Sequence, residues 1–170
     1  AGNTAPLLLS AQEWRRSADA FAIEVADMQD ARVVLHGDDP VADLRVERRT
    51  LRLQAEHELR GKLLQLRSGL LLTAHRPAEV GRLLLAALPS FTTYLRAVLR
   101  LHEAAVPGTT PAVLDRAAGL LDADPAPLRT AWDTRASGGA HAWPVDSAQV
   151  RGYYTFAERT ADHVDQLPET

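Results

Sequence analysis

The stretch Leu51-Arg-Leu-Gln-Ala-Glu-His-Glu-Leu-Arg-Gly-Lys-Leu-Leu-Gln-Leu-Arg67 decides the fold. At about 100° per residue, Leu59, Leu63, Leu66 and Leu70 share one face, and Leu53, Leu64 and Leu71 lie on its flank. That stripe predicts a long amphipathic helix from Leu44 to about His75, ended ahead of Pro77. Glu56, Arg60 and Arg67 fall inside the apolar arc, where a charge is costly unless paired. Two readings follow. These groups are structural, tied to an acid on a neighbouring helix such as Asp162 or Asp165. Alternatively, they line a polar pocket for phosphate, a nucleotide or a cationic substrate, with hydroxyls from Tyr94, Tyr153 and Tyr154. Gln54, Glu58, Gly61, Lys62 and Gln65 make the polar face, where Glu58 and Lys62 have the favourable i,i+4 orientation of a surface pair.

On the N-terminal side, Pro6 to Leu9 reads as a short strand or extended entry. Ser10-Ala-Gln-Glu13 has the spacing of a capping box. Trp14, Ala18, Phe21, Val25 and Met28 then recur at helical intervals, predicting a helix over about 11–30. A break near Asp19 with a strand over Phe21 to Val25 is the competing pattern. Arg32 to His36 reads as a short strand closed by the turn Gly37-Asp-Asp-Pro40.

On the C-terminal side a second long helix is predicted over roughly 78–105, with Pro77 in its first turn and a stripe of Leu84, Leu88, Phe91, Leu95, Val98 and His102. Pro89 inside it predicts a bend at Leu85 to Pro89. Thr110-Pro111 and Asp124-Pro125 each read as an N-cap followed by proline, opening short helices to about Leu121 and Arg135. Asp146-Ser-Ala-Gln149 caps a last helix with a stripe of Val150, Tyr153, Tyr154, Ala157, Ala161, Val164 and Leu167. Long helices joined by short turns predict an all-α fold, an antiparallel bundle over 44–170 behind an N-terminal segment 1–43 with a strand remnant.

Composition agrees. The residues are 46% hydrophobic but only 5% aromatic, and the apolar ones are mostly Leu, Ala and Val, which favours helices. A net charge of −3 argues against a nucleic-acid partner. There is no cysteine, so thiolate metal sites and disulfides are excluded, and a cytoplasmic location is the expectation. No apolar run approaches a membrane span. His57-Glu58 and His102-Glu103 begin zincin-like dipeptides, yet Gly61 and Val106 stand where a second histidine is needed. Phosphate loops and a serine nucleophile elbow are also missing, so no catalytic residue and no metal site is assigned. Gly61 and Gly69, inside a helix, predict close approach of a second helix.

Arg32-Val-Val-Leu-His-Gly-Asp-Asp-Pro40, together with the helix motif of 51–67, resembles the C-terminal part of a bacterial nucleotidyltransferase-like protein. In such proteins a polymerase-β-type catalytic domain ends in a strand of the form R-V-L-Y-G-x-D-P. A helical bundle follows, similar to the substrate-binding domain of kanamycin-type nucleotidyltransferases. The resemblance covers about 5–100, with His36 standing where tyrosine is usual. The Gly-Ser and Asp-x-Asp that bind magnesium in the family are absent, and Glu24 alone cannot hold two metals. The resemblance therefore implies an accessory or substrate-binding domain that is not catalytic alone. Mg and NTP would enter only with a catalytic domain, carried on a missing segment or a separate subunit. The opening Ala-Gly-Asn-Thr, without an initiator methionine, fits a fragment or a tag scar. The ligand-binding candidates are Glu56, Arg60, Arg67, Gln54, Glu58, Lys62 and Tyr94. A helical protein-interaction or dimerisation module without nucleotide chemistry is the alternative, with a homodimer among the expected partners.

Overall fold

Leucine-rich helices need a second helix to bury their stripe, and the computed structural model, which describes residues 8–168, satisfies that need with a helical bundle. Its helices are α1 (Ala11–Arg16), α2 (Ala22–Asp30), α3 (Arg48–Thr73), α4 (Pro77–Leu101), α5 (Thr110–Leu121), α6 (Ala126–Ala136) and α7 (Ala148–Asp165). The described residues contain no strand, and none of these helices is long and apolar enough to cross a membrane. The fold is all-α.

The α3–α4 hairpin is the frame. Glu58 meets Tyr94 near its middle and Gly69 meets Leu83 near its turn, so the two helices run antiparallel. On the other side of α3, Arg52 reaches Leu167 and Arg67 reaches Tyr154, which sets α7 antiparallel to α3 as well. α5 and α6 pack against α4, and α2 packs across α3 and α4. Phe91 sits at the centre, 6.2 Å from the rings of both Tyr153 and Phe156. Ala22 and Ile23 of α2 join the same core as Leu59, Leu66, Leu88 and Leu95.

Several expectations are corrected. The continuous helix over 11–30 is broken at Ser17 to Phe21, and the competing strand over Phe21 to Val25 is absent too. The cause is local. The Ser17 hydroxyl donates to the carbonyls of Glu13 and Trp14, while Ser10 and Glu13 close the predicted capping box behind it. Arg32 to His36 is irregular, because none of the described segments offers its backbone a partner. Of the strand expected over Pro6 to Leu9, Pro6 and Leu7 lie outside the described residues, and Leu8 and Leu9 are irregular. α4 stops at Leu101, ahead of a left-handed Glu103. The caps of α5, α6 and α7 shift by one residue, to Thr109, Pro125 and Ser147, and the Ser147 hydroxyl accepts from the Val150 amide at 3.3 Å. Leu64 and Leu71, expected on the flank of the buried face, are 60% and 77% exposed. α3 is covered by α4, α7 and α2, and the side that carries Leu64 and Leu71 has no cover among the described residues.

Of the two glycines expected at a close approach, one is crowded. A Cβ at Gly69 would press on the Leu83 side chain, so close approach occurs there, but nothing lies within 4 Å at Gly61. The tight crossings are instead at Gly81, under the backbone of His141, and at Gly152, where a Cβ would lie 2.5 Å from Pro127 Cγ.

α4 continues as a helix through Pro89. Proline has no N–H, which leaves the carbonyl of Leu85 without its helical donor. Arg135 of α6 takes that place, its Nη1 donating to Leu85 O at 3.3 Å. Arg135→Met is expected to lower unfolding free energy by about 1 kcal/mol in wild type. In a Pro89→Ala background the loss should shrink, because the helix then supplies its own donor. Urea titration of the four-member cycle measures this coupling, and equal losses in both backgrounds would refute it.

Candidate functional site

The charged residues of α3 fall on two polar surfaces of the bundle. The first is the seam with α7. Arg60 Nη2 lies 2.9 Å from Asp165 and its Nη1 lies 3.3 Å from Asp162. Arg67 donates from Nε and Nη2 to the Tyr154 hydroxyl at 2.9 and 2.6 Å, and its guanidinium sits 5.8 Å from that ring's centre. Glu158 lies 3.7 Å away, so Tyr154 stands between a cation and an anion. The side chains of Arg60 and Arg67 remain 45% and 55% exposed, which leaves both cations open to solvent. Glu56 is occupied from its own helix, by Arg52 Nη1 at 3.2 Å.

Arg52 is the residue that sequence reasoning missed. Only 5% exposed, it is the charged side chain buried most completely among the described residues. Its Nε donates to Leu167 O at 2.7 Å and its Nη2 to Asp165 O at 3.0 Å. These carbonyls belong to the C-terminal turn of α7, where helix geometry leaves acceptors unpaired and the helix dipole favours a cation. Arg52 therefore closes the end of α7 while Glu56 balances its charge. The signal was present: on the helical wheel Arg52 falls about 20° from Leu59, at the centre of the leucine arc.

The second surface lies between α2, α3 and α4. Gln54 accepts from the backbone N–H of Ile23 at 3.0 Å and donates to Glu24 at 3.3 Å. α2 has no side-chain cap of its own, so Gln54 supplies one from α3. Tyr94 donates its hydroxyl to Glu58 at 2.8 Å, and burial, Glu58 and Glu24 together push the phenol well above its ordinary value. It stays protonated as a donor across the physiological range. The Glu58–Lys62 pair does not form, since Glu58 is engaged by Tyr94 and Lys62 reaches Gln65 at 3.2 Å. Beside this surface Arg100 ties α2 to α4 through Asp27 at 2.7 Å and Asp30 at 2.6 Å.

Gln54, Glu58 and Tyr94 are thus brought together, as are Arg60 and Arg67, but the two groups occupy different sides of α3. No group of three or more His, Asp or Glu side chains among the described residues is placed to hold a metal ion.

A third surface is apolar. Val33, Val34 and Leu35 are 82%, 41% and 93% exposed in the irregular segment after α2. The segment is held at both ends. Arg32 pairs with Asp39, Gln29 donates to Val41 O and Leu44 O, and the Trp14 indole N–H donates to Pro40 O. A cavity of about 410 Å³ lies against it, lined in part by Met28, Val34, Pro40 and Val41. No family model matches the chain, nor does any curated protein or solved structure.

Proposed function

We propose that this chain is the accessory, substrate-binding helical domain of a nucleotidyltransferase-like protein and acts beside a catalytic domain that carries the metal-binding carboxylates. The observation that supports the reading best is the exposed Val33-Val34-Leu35. It lies in the motif that resembles the last strand of such a catalytic domain, and a pinned apolar segment facing water is what a docking sheet would cover. Mg and NTP belong to the catalytic partner in this reading. Arg60 and Arg67 offer half-exposed cations for an anionic substrate, with Glu56 bracing the seam through Arg52. Gln54, Glu58, Lys62 and Tyr94 are placed for polar contacts on the opposite surface.

The test is reconstitution with a neighbouring gene product that contains Gly-Ser and Asp-x-Asp. Co-elution and Mg-dependent nucleotidyl transfer requiring both chains are expected. Val33→Asp with Leu35→Asp should weaken association at least tenfold at unchanged melting temperature. Arg60→Ala with Arg67→Ala should raise KM with association intact. Transfer indifferent to all four substitutions would defeat the proposal.

A second reading, a homodimerisation module, draws on a different observation. Leu64, Leu71 and Leu72 are exposed on α3, and Gly61 of the same helix has open space above it. A mid-helix glycine costs about 1 kcal/mol relative to alanine. Gly61→Ala should therefore raise stability by about that amount in a monomer, and light scattering should show a mass independent of concentration. Concentration-dependent dimers abolished by Leu64→Glu would favour the module instead.

A further inference from the structure

The C-terminal ends of α4 and α7 meet through two histidines. His102, the residue that ends α4, and His163, in the last turn of α7, place their Nε2 atoms 2.7 Å apart with ring centres 4.8 Å apart. At that distance one Nε2 carries a proton and the other accepts it. A neutral pair makes this bond, and so does a pair sharing one extra proton. Two imidazolium rings cannot, because both Nε2 atoms are then donors aimed at each other.

Among the described residues, neither ring has a hydrogen bond to a carboxylate that would offset a second charge. Each ring is hydrogen-bonded to the other. From α3, Arg48 disfavours the charged form of His102. From α5, Asp115 and Arg116 line the same cavity of about 530 Å³ as His102, and Asp115 is paired with Arg129. On α7, Asp162 and Asp165 are held by Arg60, and Arg159 donates to the carbonyl of Asp122. Glu103 follows His102 in a left-handed conformation.

We propose that the His102–His163 pair is an acid-sensitive clasp, which holds the last turn of α7 on the end of α4 at neutral pH and releases it when both rings are charged. Its release has a defined consequence. Asp162, His163 and Asp165 share one turn, and the same turn presents Asp165 O and Leu167 O to Arg52. Loosening it frees Arg60 from its acids and uncovers Arg52, so acidity would raise the number of unpaired guanidinium groups along the seam. The clasp is a property of the fold and does not depend on the nucleotidyltransferase reading.

Burial lowers both imidazoles below the ordinary value of 6.5, with Arg48 contributing at His102 and His102 contributing at His163. The folded chain then binds fewer protons than the unfolded one. The stabilisation is fully present above pH 6.5 and is lost as pH falls through the lowered values.

Hydrogen exchange of the full chain, corrected for intrinsic rates, tests the clasp at pH 7.5 and pH 5. Amides of Thr160 to Gln166 should lose protection at least tenfold more than those of the Phe91 region. His163→Gln, which keeps a neutral hydrogen-bonding partner, should remove most of that difference. His102→Gln should do the same from the other side. Two results would overturn the proposal. One is an equal acid response in wild type and both variants. The other is protection restored at pH 6 by micromolar Zn²⁺ and abolished by either variant, which would make the pair a metal site instead.

Discussion

Gly81→Ala is expected to cost the protein about 2–3 kcal/mol, and more than any other single-methyl addition considered in this chain. An alanine Cβ at this position would overlap the carbonyl oxygen of His141. That atom is backbone, so no rotamer change relieves the clash, and the loop that carries it must move. The loop is a strap over the start of α4. Trp143 N donates to Pro77 O at 3.1 Å, the Trp143 ring is 5% exposed, and His141 packs on it with ring centres 5.0 Å apart. Displacing His141 therefore lifts Trp143 from the core, which should red-shift tryptophan emission before global unfolding. Gly119→Ala is the control, since nothing lies within 4 Å of its added methyl, and it should gain about 0.5–1 kcal/mol. Urea denaturation reads both. A Gly81→Ala loss below about 0.5 kcal/mol would show that the strap is not seated as described.

The second large effect is expected at Arg52. Arg52→Met keeps most of the aliphatic stem but removes the donors that reach Leu167 O and Asp165 O and the partner of Glu56. Two helix-end acceptors and one carboxylate then lose their cation. The expected loss is about 2–4 kcal/mol, which corresponds to a fall in Tm of roughly 5–15 °C for a chain of this size. Arg60→Met should cost about 0–1 kcal/mol, because its ion pairs with Asp162 and Asp165 are half exposed and screened. The ordering is the test. If calorimetry finds Arg60 the more costly of the two, the exposed seam and not the buried guanidinium holds α7 in place.

This ordering marks how far the sequence could be read at the site. The wheel angles singled out α3 and noted the charges near its leucine arc, and both Asp162 and Asp165 appeared among the partners considered for them. Arg52 lies at the centre of the same arc, but its partners on α7 are the backbone carbonyls of 165 and 167. Such carbonyls have no side-chain signature, and only the antiparallel placement of α7 brings them near. The separation of Gln54, Glu58 and Tyr94 from Arg60 and Arg67 was illegible for a similar reason. On one helix they are neighbours, and it is the directions from which α2, α4 and α7 approach that divide them.

Local chemistry determined the rest of what the sequence could say. Leucine periodicity, prolines at helix starts and the Ser10–Glu13 box set the all-α class and the long helices, because those preferences act within a few residues. Strand propensity at Val33 to Leu35 was equally local and misled, since a strand exists only when another backbone pairs with it. Tertiary structure alone decided which glycines are crowded, which carbonyl Arg135 rescues beside Pro89, and that α3 buries one leucine face while leaving Leu64 and Leu71 in water. Those outcomes depend on what lies opposite each residue, and that is a property of the packed helices and of no single segment.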